Sequence, residues 1–212
     1  MVTYLLVPSP LLGPATWTPV ATRLHADGHG VVVAAVDDVV SVAAGLGTVV
    51  LVPHSNAGYR ASALAEQLGT VATVYVDAAL PPAVVTETPL APEAFLEFLE
   101  GLADADGVLP PWTQWWDDLG EAFPDEATRR AVEAEEPRLP LEYFRTRVPV
   151  AVDWASKPCA YVAFGQTYAE EIAFAQDRDW PVRILEGGHL HQLHDPSGVA
   201  SAIVEAASRL GV

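Results

Sequence analysis

Cysteine is all but missing from this 212-residue sequence: Cys159 stands alone, which excludes an internal disulfide and any zinc centre built on several thiolates. It lies in an apolar, strand-like stretch and reads as inert core. Positive charge is scarce too. The chain has 11 Lys and Arg against 28 Asp and Glu, a formal net charge of −17, and no basic stripe to meet the phosphates of nucleic acid or of an anionic membrane. No apolar run is long enough to span a bilayer. The opening Met1 to Pro8 has no basic leader and no cleavage site and turns within a few residues, so a strand is expected there rather than a signal peptide. These exclusions point to a cytoplasmic protein acting on a small molecule, with neither nucleic acid nor membrane as partner. No feature of the sequence sets an oligomeric state, and there is no internal repeat or low-complexity tract.

What is present is apolar sequence in quantity. Half of the residues are hydrophobic, enough for one large core and most economically a single domain over 1–212. Apolar runs at Tyr4 to Val7, Val31 to Val36, Thr48 to Val52, Val71 to Val76, Cys159 to Phe164 and Pro181 to Leu185 predict strands, those at 31–36, 48–52, 159–164 and 181–185 buried. Helical spacing fills the gaps: Trp17, Val20, Ala21 and Leu24 within Thr16 to Ala26, then Tyr59 to Leu68, Tyr168 to Asp177 and Ser197 to Leu210, with a short alanine-rich crossover from Asp37 to Gly47. Strands alternating with helices imply parallel pairing through right-handed crossovers, so all carboxyl ends share one edge. Between Thr86 and Ser156 the pattern changes. Acidic helical pieces at Pro92 to Leu102 and Asp125 to Glu135 flank the proline- and tryptophan-rich Val108 to Trp116, and the segment reads as a helical insertion that needs no strand.

Ser55 falls on the corner between the third strand and the helix after it. A side chain there is forced outward at the carboxyl edge of the sheet, where open α/β sheets place their chemistry. The form G-x-S-x-G appears as Pro53-His54-Ser55-Asn56-Ala57, with Gly58 one place later. Small residues flank such a serine because strand and helix backbones come close; Ala57 meets that need, while Pro53 departs from it and serves at most to end the strand. The same serine would also suit a helix cap. A serine nucleophile needs a base, and the base an acid to hold its tautomer. His189, after the last strand on the Gly187-Gly188 loop, supplies a base in the chain order serine, acid, histidine.

On three pieces, the serine corner at 53–58, the Gly187-Gly188-His189-Leu190 loop followed by Asp195-Pro196, and the Pro8 to Gly13 loop after the first strand, the sequence resembles the α/β-hydrolase superfamily over most of its length. The resemblance implies an α/β-hydrolase fold: a six-strand, mainly parallel sheet of order 2-1-3-4-5-6 with helices on both faces and a helical lid at 86–156. It implies an esterase-like serine hydrolase, without cofactor, that cleaves an ester, thioester or similar acyl bond of a small, largely apolar substrate through Ser55 and His189. It also implies an oxyanion hole made by the backbone N–H groups of Asn56 and of a residue in Ser9 to Leu12, assigned to Leu11, although the His-Gly signature common in that loop is missing. The acid stays open between Asp77 at the end of the fourth strand, Glu170 in the helix after the fifth, and none at all. The same fold would also serve a non-hydrolytic acyl transferase, lyase or cyclase, or a non-catalytic binding protein with a degenerate site.

Three further features attach to this frame. Trp112, Trp115 and Trp116 are either lid core or the walls of an apolar substrate pocket. Arg60 is either a solvated helix residue or a clamp for a substrate carboxylate. His189, His191 and His194 form H-x-H-x-x-H, but on a loop entering a helix and without the spacing that would put them on one face, so no metal is expected.

Overall fold

The computed structural model describes residues 2–212. Six strands form one sheet: β1 (Val2–Val7), β2 (Gly30–Val33), β3 (Thr48–Ser55), β4 (Ala72–Ala78) and, beyond an insertion with its own short pair β5 (Glu87–Pro89) and β6 (Arg147–Pro149), β7 (Cys159–Phe164) and β8 (Val182–Leu185). The order is β2-β1-β3-β4-β7-β8 and every pairing within this sheet is parallel. Counted over the six alone, this is the expected 2-1-3-4-5-6.

Alternate side chains along the central strands build two cores, one on each face. Leu5, Leu51, Tyr75 and Tyr161 pack beneath α2 (Val39–Ala43), α3 (Gly58–Leu68) and the later α7 (Ala169–Gln176), through Val39, Ala61 and Ile172. Tyr4, Leu6, Val50, Val52, Val74 and Val162 pack against α1 (Thr18–Ala26) and the closing α9 (Pro196–Arg209), through Trp17, Val20, Leu24 and Ile203. Burial on both faces is why these strands show no alternation in sequence, whereas β2 and β8, also expected to be buried, are the two edges of the sheet and only partly covered.

The insertion carries α4 (Glu93–Leu102), α5 (Glu126–Glu133) and α6 (Leu141–Arg145). Its own core of Leu99, Leu109, Trp115, Val132 and Phe144 is continuous with Leu11 and Leu12 after β1 and with Leu190 and Leu193, the latter in the one-turn α8 (His191–His194). Those four leucines lie in the segments that follow the carboxyl ends of β1 and β8, so the insertion is seated over that edge. It departs from the strand-free expectation: β5 and β6 pair antiparallel at its root. Three residues give no readable period, and Pro89 and Pro149 read as turn residues in sequence; proline is tolerated at a sheet edge.

Candidate active site

The corner at Ser55 is strained. Its φ is 57°, a left-handed conformation that costs a non-glycine residue on the order of 1–3 kcal/mol and clusters at functional sites. The close crossing of strand and helix is made at Gly58, where a Cβ would run into the carbonyl oxygen of Ala79. Glycine is thus required three places after the serine, and Pro53 sits inside β3 opposite Val7 without ending it. Ser55 is only 6 % exposed, because the insertion covers the corner.

Asp77 reaches the site through a bulge. Pairing of β3 with β4 runs His54 to Val76 and then Ser55 to Ala78, so Asp77 is the extra residue, with φ at 39°. Bulges re-aim a side chain beside a site, and here the freed carboxylate turns along the sheet edge. Its Oδ1 accepts from the Phe164 N–H at 2.9 Å and its Oδ2 from His189 Nδ1 at 2.6 Å. His189 Nε2 in turn lies 3.0 Å from Ser55 Oγ. With Nδ1–H donating to the fully buried Asp77, Nε2 is left as the acceptor for the serine proton. The bulge itself is closed by Tyr161, whose hydroxyl accepts from the Ala78 N–H at 3.0 Å and donates to the Ala78 carbonyl at 2.6 Å.

His54 is a site neighbour that sequence reading passed over. Its ring is fully buried, stacks on His189 with centroids 4.7 Å apart, and donates Nε2–H to the His189 carbonyl at 3.1 Å. Burial, reinforced by His189, holds its pKa well below 6.5, so the ring stays neutral. Its position next to the serine was the available signal.

Ser55, His189, Asn56, Leu11, Trp112, Trp115 and Trp116 meet around one cavity of about 360 Å³. Asn56 Nδ2 donates to the Leu90 carbonyl at 2.6 Å, tying the residue after the serine to the root of the insertion. The Leu11 N–H makes a long 3.4 Å contact with Ser9 Oγ. Trp115 is buried and donates Nε1–H to the Pro110 carbonyl, whereas Trp116 is 43 % exposed. A groove of about 600 Å³ lies beyond the His189 ring and shares Trp112 and Trp116 as walls, without Ser55.

Two expected residues fall elsewhere. Arg60 does not line the cavity: Asp37 holds its guanidinium at 2.6 Å, over the Tyr143 ring. Its partner lies in the turn that leads into α2. Glu170 is exposed on α7, with His189 Nδ1 already taken by Asp77; its neighbour Glu171 is the carboxylate that faces the cavity. The three histidines of the motif line the larger groove with separate partners, His189 on Asp77, His191 against Phe164 and His194 at the Ala122 carbonyl. Among the described residues no group of three or more His, Cys, Asp or Glu is placed to hold a metal ion.

The α/β-hydrolase fold is the class that this sheet order, serine corner and insertion define. No family model matches the sequence, and no curated protein does. Solved structures match over nearly the whole chain. An extracellular α/β-hydrolase from a Paenibacillus species aligns with a TM-score of 0.76 at 16 % identity, covering 97 % of this chain and 99 % of its own. Polyneuridine aldehyde esterase follows at 0.75 and 15 %, covering 98 % and 99 %, and a pyrethroid hydrolase at 0.72 and 20 %, covering 98 % of each chain. The chain therefore has the α/β-hydrolase fold. No helix among the described residues is long and apolar enough to cross a membrane.

Proposed function

We propose that the protein is a serine hydrolase that cleaves an ester, thioester or similar acyl bond of a small, largely apolar substrate. The observation that carries the reading is the continuous run Ser55 Oγ, His189 Nε2, His189 Nδ1, Asp77 Oδ2, at 3.0 and 2.6 Å, opening on a cavity. Ser55 Oγ attacks the acyl carbon while His189 takes its proton and Asp77 stabilises the imidazolium. The oxyanion falls to the backbone N–H groups of Asn56 and Leu11, each such donor being worth about 3 kcal/mol in comparable sites. His189 then returns the proton to the leaving alcohol or thiol, and a water, deprotonated by the same ring, releases the acid from Ser55. The insertion acts as the lid, keeping bulk water from the acyl-enzyme. No step calls for a cofactor. A cytoplasmic setting, suggested by a single thiol and no possible internal disulfide, belongs to the same proposal.

Ser55→Ala tests it. Turnover of short activated esters is expected to vanish while the melting temperature holds, because only one oxygen is removed. Retained turnover would place the chemistry elsewhere.

A further inference from the structure

Building on the hydrolase reading, we propose that the acyl part of the substrate ends in a tertiary or quaternary ammonium group, held by Glu171 within an aromatic cage. The cavity beside Ser55 is walled by six aromatic rings, those of Tyr59, Phe95, Trp112, Trp115, Trp116 and Tyr168. Trp112 and Tyr168 come within 6.3 and 5.8 Å of the His189 ring, so the cage begins at the reacting atoms. Hydrocarbon alone would be a sufficient lining for a plain acyl chain.

One carboxylate interrupts that wall. Glu171, in the first turn of α7, lines the cavity half-buried, and no cation of the protein pairs with it among the described residues. Burial holds its carboxyl above the usual range, with Glu170 and Asp77 adding to the effect. Its charge is felt by the phenols around it. Tyr59, pushed up to about 12, and Tyr168 are raised first by burial, with Glu171 contributing to both.

A partly desolvated carboxylate without a counter-ion is unfavourable, and a substrate cation would relieve it. The rings select which cation. A methylated ammonium presents an apolar shell to aromatic faces while its charge is attracted to their quadrupoles. The same carboxylate turns away acyl groups that end in an anion. The net charge of −17 draws any cationic ester to the protein, so the share of the preference that belongs to Glu171 is the share lost in Glu171→Gln and kept in Glu170→Gln.

The test compares the p-nitrophenyl ester of a trimethylammonium-tipped butanoyl group with its neutral tert-butyl-tipped isostere. The cationic ester is expected to have the higher kcat/KM, by about fivefold or more. Glu171→Gln should remove most of that advantage. Glu170→Gln makes the same change in net charge on an exposed residue of the same helix and should preserve it. Butyltrimethylammonium, which offers no bond to cleave, should perturb the tryptophan fluorescence of the wild type and bind several-fold more weakly to Glu171→Gln. Equal rates for the two esters, or an advantage reduced alike by both substitutions, overturns the proposal. Glu171-dependent binding of the cation by a protein that cleaves neither ester would support the cage and overturn only the hydrolase reading.

Discussion

The hydroxyl of Tyr161 on β7 closes both hydrogen-bonding groups of Ala78 on β4, the residue after the bulge that turns Asp77 toward His189. This contact continues the β7 side of β4 past Val76 and Val162, where backbone pairing of the two strands ends. Removing it in Tyr161→Phe leaves a buried N–H and carbonyl unpaired, at a cost of about 1–3 kcal/mol in stability. We predict that kcat falls about ten- to a hundredfold with KM little changed, since the carboxylate loses its aim rather than its charge. Thermal unfolding and steady-state kinetics measure the two effects; an unchanged kcat in a destabilised protein would make Tyr161 a packing residue only.

Asp77 and Glu170 separate by geometry. Asp77 is fully buried and contacts His189 Nδ1, while Glu170 is exposed and makes no such contact. Asp77→Asn is predicted to lower kcat on the order of a thousandfold or more, because the amide favours the wrong imidazole tautomer. Glu170→Gln should leave it within about twofold. Small, equal losses in a kinetic comparison would describe a Ser-His dyad.

His54 gives the protein an acid-sensitive element. Its folded pKa is depressed well below 6.5 by burial, so on acidification the unfolded state takes up a proton that the native ring refuses. The stabilisation is fully present above pH 6.5 and is lost as the pH falls below it toward the folded value. Urea titrations between pH 7 and 5 should show stability declining with a slope of up to about 1.4 kcal/mol per pH unit from this group. In His54→Gln that part of the decline should disappear. A variant with the wild-type slope would assign the acid sensitivity to other groups.

Trp116 is the better handle on chain-length preference. Trp115 is buried against Phe95 and Phe98 and bonded to Pro110, so Trp115→Ala should cost stability of about 3–5 kcal/mol and confuse the comparison. Trp116→Ala should flatten the gain of up to about 0.8 kcal/mol per acyl methylene, leaving acetate ester hydrolysis nearly unchanged. Arg60→Ala should leave selectivity alone, its guanidinium being held by Asp37 outside the cavity. Loss of selectivity in Arg60→Ala and not in Trp116→Ala, in a p-nitrophenyl ester series, would reverse this assignment.

Sequence carried the frame because the frame is periodic: strands buried on both faces read as unbroken apolar runs, and their alternation with helices dictates a parallel sheet. Ser55 and His189 were legible because each sits where a strand ends at a constrained loop. Asp77 was ambiguous for a physical reason, since a bulge adds one residue and leaves no mark on hydrophobic pattern. Tyr161 and His54 act across strands, through contacts set by register, and Glu171 looked like any acidic residue in a first helical turn. The short β5–β6 pair fell below the length at which alternation can be seen.

The central claim is that Ser55 is an activated nucleophile, and covalent labelling with a fluorophosphonate tests it most directly. Intact-mass measurement should show one adduct per chain, mapped by peptide sequencing to Ser55, absent from Ser55→Ala and formed far more slowly in His189→Ala. A folded wild-type protein that remains unlabelled, or an adduct on another residue, would contradict the account.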